Sequence, residues 1–196
     1  MKRQIKIVLP VVLFFLLSGT SIAQLGRFGL SYNMALPLGK TSDFIGKYTF
    51  RGFGMEAHWE ISPELFLGFT ASWNVFYDSE RGTFVNENTS VTGVQYRYLN
   101  TLPLMLDVKK HFKTSGNVIP FVSLGTGPIY SEMRTDMGLW SVVNKGWQYG
   151  IVPGVGIQKP MLNGSDVIFT VRYNYGFKST ELEAMSFLGF NLGLLF

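Results

Sequence analysis

No cysteine occurs among the 196 residues. That excludes a disulfide framework, thiolate-held zinc, an iron–sulfur centre, a cysteine nucleophile and a lipid-modified N-terminal cysteine. Charge is scarce as well. Asp, Glu, Lys and Arg make up 15% of the chain, against about 25% in an average soluble domain, and so few charges exclude a disordered solvating chain. Histidine occurs twice, at His58 and His111. Two histidines so far apart, without calcium-loop spacing, give no metal site. Beyond the first residues no run of 18 apolar residues appears, so no spanning helix is expected. Sustained helical periodicity is also missing.

What is present starts with a leader. Lys2, Arg3 and Lys6 form a basic start, 7–17 is apolar, and Ser21-Ile22-Ala23 fits the small-x-small rule for cleavage. The apolar stretch is too short for an anchor and contains Pro10. The sequence therefore predicts an export signal over 1–23 and a single domain over 24–196, exported from the cytoplasm. The leader also explains the formal charge of +4. Without its three basic residues, the 17 Lys and Arg fall to 14 against 13 acids, so charge implies no polyanion and no nucleic-acid partner.

From residue 26 onward the pattern is alternation with period two. Eight such runs occur, at about 26–36, 50–61, 64–77, 93–109, 119–132, 146–158, 166–177 and 185–196. In the second, Phe53, Met55, Ala57, Trp59 and Ile61 oppose Gly52, Gly54, Glu56, His58 and Glu60. In the seventh, Val167, Phe169, Val171, Tyr173, Tyr175 and Phe177 oppose Thr170, Arg172, Asn174 and Gly176. Phe66 and Phe76 break the third run. Connections alternate between short turns (62–63, 113–117, 162–166) and longer segments read as loops (37–49, 78–92, 133–145), with 178–184 intermediate. The fold class predicted is all-β: an eight-stranded antiparallel up-and-down transmembrane barrel after a cleaved signal, with both termini periplasmic and no further domain beyond Phe196.

Two arguments put the apolar parity outside. An eight-stranded barrel has an interior only wide enough for its own side chains or one small ligand, too small for so many Tyr, Trp, Phe and Leu. The opposite parity is rich in Gly, Ser, Thr and Asn, whereas a water-facing surface carries roughly 25–35% charge. Twelve residues tilted by about 45° span roughly 28 Å, close to the apolar band of such barrels. Aromatics fall where interfacial girdles belong: Trp73, Tyr77, Tyr96, Tyr98, Tyr130, Trp147, Tyr149, Tyr173 and Tyr175 toward the long-loop end, and Trp59 with Phe190 and Phe196 toward the short-turn end.

The stretch Tyr98-Leu99-Asn100-Thr101-Leu102-Pro103-Leu104, continuing into Val108-Lys109-Lys110-His111-Phe112, is followed by Pro120-Phe121-Val122 and Gly125-Thr126-Gly127-Pro128. With these segments the chain resembles the small outer-membrane β-barrels of the OmpA/OmpX-like superfamily, and in style the PorT-like barrels. Leu192, Leu194 and Phe196 resemble the terminal signal read by barrel-assembly machinery, with Asn191 standing where the commonest form has Gly. The resemblance implies an integral protein of a Gram-negative outer membrane, surrounded by lipid and lipopolysaccharide. It implies no single activity.

The inward parity holds Glu56, His58, Glu60, Arg97, Asp107, Lys109 and Arg172. Charges in a narrow interior must pair or cost several kcal/mol each, so these residues are read as a lumen polar network. Glu56 is expected to pair with Arg97 or Arg172. No outward His stands near a strand Ser, so no enzyme and no cofactor is expected. The glycines at 125 and 127, and at 150, 154 and 156, precede no helix and are read as lumen packing rather than a phosphate loop. The sequons at Asn88 and Asn163 are read as chance. Two functions remain. One is a structural or protein-interaction barrel, an accessory subunit of a larger envelope complex. The other is a narrow conduit or pocket for a small or lipidic molecule, with Pro128 and Pro153 as the weak points of the wall.

Overall fold

The computed structural model describes residues 26–86, 89–138, 140–162 and 164–196. The expected leader and the sequon residues Asn88 and Asn163 lie outside the described residues. Eight strands follow in order: β1 (Gly26–Leu38), β2 (Gly52–Ser62), β3 (Leu65–Asn86), β4 (Thr89–His111), β5 (Ile119–Met137), β6 (Trp140–Pro160), β7 (Asp166–Gly176) and β8 (Met185–Leu195). Each pairs antiparallel with its neighbour in sequence, and β8 closes on β1. Closure leaves no open edge around the barrel, the condition for a sheet to sit in lipid. Phe28 and Phe196 seal the seam with reciprocal backbone hydrogen bonds.

The two parities separate as alternation demands. Phe28, Leu30, Phe53, Met55, Leu67, Trp73, Leu106, Leu124, Val155 and Leu192 are exposed on the outer face. Most inward positions in the middle of the barrel are buried. Where large inward side chains lean over a neighbouring strand, glycine makes room: a methyl at Gly156 would overlap the Phe121 ring, and one at Gly68 would overlap His58.

Several expectations are corrected. The described residues of the segments 78–92 and 133–145 are almost all strand rather than loop. β3 and β4 remain paired as far as Asn86 and Thr89, and β5 and β6 as far as Met137 and Trp140. β2 ends opposite Asn74, so β3 runs on for about 40 Å of strand beyond it. β7 ends opposite Gly150, so β6 also overshoots its neighbour. Strands β3 to β6 thus form a wall that rises above the barrel on one side. The segment 37–49 is no plain loop either. It holds a short helix, α1 (Lys40–Phe44), and returns through a bridge between Thr49 and Ala35.

The ladders skip at three places without changing register. They are Ser72 and Trp73 against Leu102 and Pro103, Leu104 and Met105 against Gly127 and Pro128, and Val152 and Pro153 against Tyr173 and Asn174. Each gap holds a proline, which has no N–H to give a ladder. Pro103 joins the two prolines singled out from the sequence.

Candidate functional site: the lumen

The lumen is built in storeys. At the short-turn end, Phe66, His111 and Phe121 pack ring against ring, with His111 4.5 Å from Phe66 and 5.7 Å from Phe121 between centroids. Ile168 and Leu195 complete this floor with Phe121.

Above it lies the charged storey. Glu56 and His58 come from β2, Thr70 from β3, Asp107 and Lys109 from β4, and Arg172 from β7; all are buried. Arg172 Nη2 donates to Glu56 Oε2 at 2.8 Å. Lys109 Nζ lies 3.7 Å from the same oxygen. His58 Nε2 is 2.8 Å from Asp107 Oδ2, and Thr70 Oγ1 donates to Asp107 Oδ1 at 2.8 Å. His58 Nδ1 faces the Lys109 ammonium at 3.5 Å. An ammonium can only donate, so Nδ1 is the acceptor and Nε2 carries the proton given to Asp107. With a neutral imidazole, two carboxylates balance two cations. Lys109 also lies over the Phe121 ring at 4.9 Å, which couples this storey to the floor.

The next storey is amide and hydroxyl: Asn33, Asn74, Thr101, Asn174 and Asn191, all buried. Asn191 Nδ2 donates to Asn33 Oδ1 at 2.5 Å. Asn33 Nδ2, Thr101 Oγ1 and Asn191 Oδ1 find no protein partner among the described residues. A cavity of about 20 Å³ beside Thr70, Asn74, Asp107, Ser123, Arg172 and Asn191 has room for about one water.

Over this sits an apolar plug that the sequence did not announce. Phe76, Leu99, Ile129, Met185 and Phe187 pack with Met105 and Val152, and Phe76 meets Phe187 edge to face at 5.5 Å. Ile45, just after α1, inserts into the plug and is fully buried, with Phe44 beside it. The connection 177–184 folds over the mouth as well: Leu182 is buried, and Glu183 holds both Lys178 and, at 3.0 Å, Lys40. The lysines hold the Glu183 carboxyl below its ordinary pKa, Lys178 first and Lys40 second.

The structure brings together Glu56, His58, Asp107, Lys109 and Arg172. It does not bring in Glu60 or Arg97. Glu60 is exposed, near the short-turn end of β2. Arg97 sits at the mouth, where it bonds Gln95 Oε1 and the Phe44 carbonyl and approaches Glu80 at 3.3 Å. Glu56 therefore meets Arg172 and not Arg97. Parity assigns a side chain to a face; it does not give its height along the axis. The aromatics read as girdle, Trp59, Trp73, Tyr77, Tyr96, Tyr98, Tyr130, Trp147, Tyr149, Tyr173 and Tyr175, all lie on the outward parity, and none is buried. Leu192, Leu194 and Phe196 face outward and are exposed.

Chemically, the charged storey offers an Asp–His pair and two carboxylates, which in an open cleft would suit acid–base work. Here they are enclosed between floor and plug, beside a cavity of about 20 Å³, room for about one water.

No family model matches the chain, and no curated protein matches it. Solved structures do. A major outer membrane protein of Thermus thermophilus superposes with a TM-score of 0.53 at 12% identity, covering 87% of this chain and 98% of that one. Ail, the attachment invasion locus protein of Yersinia pestis, superposes with a TM-score of 0.51 at 12% identity, covering 87% and 97%. The same protein in complex with the heparin analogue sucrose octasulfate gives 0.51 at 11%. Likeness at this identity shows a shared fold: the chain is an eight-stranded barrel of the kind found in outer-membrane proteins.

Proposed function

We propose that this chain is an integral barrel of a Gram-negative outer membrane that works through its outer and extracellular surfaces, as a structural or protein-interaction component of a larger envelope complex. The observation that carries this reading is the sealed lumen. Two apolar layers bracket a paired charge cluster, and the cavity beside that cluster, about 20 Å³, has room for about one water. Ions need a continuous wet path, and side chains fill the interior of a barrel this narrow. Placement in lipid draws on the apolar outer face, on closure, and on the leader read over 1–23. Leu192, Leu194 and Phe196 fit a terminal signal for barrel-assembly machinery. The stretch 98–112 supports kinship with PorT-like barrels.

A second reading, a narrow conduit or pocket for a small or lipidic molecule, draws on the ladder gaps at Pro103, Pro128 and Pro153. The plug argues against it, because a molecule passing through such a gap would meet packed Met105 and Val152.

The test is gentle detergent extraction of the native outer membrane carrying tagged protein, followed by sizing and mass-spectrometric identification of co-eluting chains. A stoichiometric partner supports the first reading. A bare monomer that conducts in planar bilayers overturns it in favour of the second.

A further inference from the structure

A different feature lies on the outer face of the wall. Tyr77, Tyr98 and Arg134 form one cross-strand row over β3, β4 and β5. The two rings are 5.1 Å apart between centroids, and Tyr96 stacks on Tyr77 at 6.4 Å with 19° between planes. A guanidinium stands at each end. Arg51 lies 6.0 Å from the Tyr77 centroid, and Arg134 lies 6.0 Å from that of Tyr98. Both arginines are exposed. Among the described residues no carboxylate pairs with Arg51. Arg134 gives its Nε–H to Asp136 at 2.8 Å, which leaves its two terminal nitrogens. Among the described residues the other outward carboxylate of β5, Glu132, has Lys145 as its cross-strand neighbour.

The height of this row matters. Trp73 lies four residues below Tyr77 on the same face of β3, and Trp147 faces out nearby on β6. Such aromatics mark the edge of the hydrocarbon. Four residues of tilted strand rise roughly 9 Å, which brings Tyr77 to the level of the lipid headgroups, and the row crosses this zone obliquely because the strands are tilted. Flat tyrosine faces accept the C–H face of a sugar ring. Guanidinium groups are the preferred bidentate partners of phosphate. The arginines are separated by three strand spacings, on the order of 14 Å, the scale of a disaccharide phosphorylated at both ends.

We infer that Arg51, Tyr77, Tyr98 and Arg134 bind the phosphorylated saccharide headgroup of an outer-leaflet glycolipid, the arginines taking the phosphates and the tyrosines the sugar rings. The inference rests on membrane placement and is independent of the protein partner sought above.

The full barrel is placed in phosphatidylcholine nanodiscs doped with a diphosphorylated glucosamine-disaccharide lipid, its dephosphorylated form, or phosphatidylglycerol. Lipids retained on release are counted by native mass spectrometry. The diphosphorylated glycolipid is expected to be retained preferentially. Arg51→Gln and Arg134→Gln are each expected to weaken it about tenfold, the value of one charge-assisted contact. Tyr98→Leu should weaken glycolipid retention and leave phosphatidylglycerol unaffected. Gel mobility of the unheated protein verifies that each variant is folded. Equal retention by the double arginine variant overturns the site. Equal retention of the dephosphorylated lipid overturns the phosphate role, and phosphatidylglycerol held as tightly as the glycolipid overturns the saccharide role.

Discussion

Glu56 is the hinge of the charged storey, and replacing it is the sharpest test of how the lumen is held. Its Oε2 lies 2.8 Å from Arg172, 3.7 Å from Lys109 and 4.0 Å from His58 Nδ1. Glu56→Gln keeps the shape and removes one of the two carboxylates of the charged storey. Two buried cations then face Asp107 alone. Breaking a buried pair from one side costs about 3–5 kcal/mol, because the orphaned charge stays desolvated. At an m-value of about 2 kcal/mol/M, that lowers the urea midpoint by roughly 2 M. The assay is reversible unfolding into and out of lipid vesicles, followed by tryptophan fluorescence and by gel mobility of unheated samples. Arg172→Met is expected to cost a similar amount. The double variant removes both charges and should recover much of the loss, giving a coupling of about 2 kcal/mol or more. If Glu56→Gln stays within about 1 kcal/mol of the parent, or if the single effects add to within about 0.5 kcal/mol, the lumen is wetter than described and the reasoning fails.

Three further outcomes are expected. Phe187→Ala opens the plug and should cost about 3–5 kcal/mol in the same unfolding assay; combined with Phe76→Ala it should also raise the low planar-bilayer conductance expected of the parent. Pro153→Val adds an N–H where the β6–β7 ladder skips, on an exposed face that contributes nothing to the lumen, and should stabilise by about 1 kcal/mol, with slowed amide exchange at 152–153 and 173–174 as the check. The Glu183 carboxyl is held below its ordinary value, so its contribution is present above the unfolded value of about 4.3 and is lost as pH falls through the lower folded one. Amides of 177–184 should therefore stay protected at neutral pH and open on acidification, and Glu183→Gln should open them already at pH 7.

The barrel was legible in the sequence because lipid imposes one rule on every strand: outward residues must be apolar. That rule ends where the lipid ends. Beyond Tyr77 and before Trp147 the outward face has left the lipid, alternation fades, and the extensions of β3, β4, β5 and β6 read as loops. The plug was hidden for the opposite reason. In the plug Val152 stands between Ile151 and Pro153, and in the floor Phe121 precedes Val122. An inward apolar residue flanked by outward apolar ones merges into a run and carries no periodic signature. Phe76 did stand out as a break in the third run, and it proved to be at the centre of the plug. Helix α1 spans five residues, too few for a helical period to register.

The composition of the lumen follows from what each storey must do for closure. Glu56, Asp107 with Lys109, and Arg172 stand on β2, β4 and β7, spread around the barrel. Buried ion pairs contribute little net stability compared with well-packed apolar residues. They are, however, intolerant of displacement. A one-residue slip of any of these strands turns its charges outward into lipid, leaves partners unpaired inside, and brings the neighbouring apolar residues into the lumen. The apolar plug is more forgiving, since Leu, Ile, Met and Phe repack when total volume is kept. The charged storey therefore specifies register, and the plug and floor exclude water so that the specification is strong. A lumen organised in this way favours one closed arrangement, which leaves the outer face and the rising wall of β3 to β6 as the surfaces free to act.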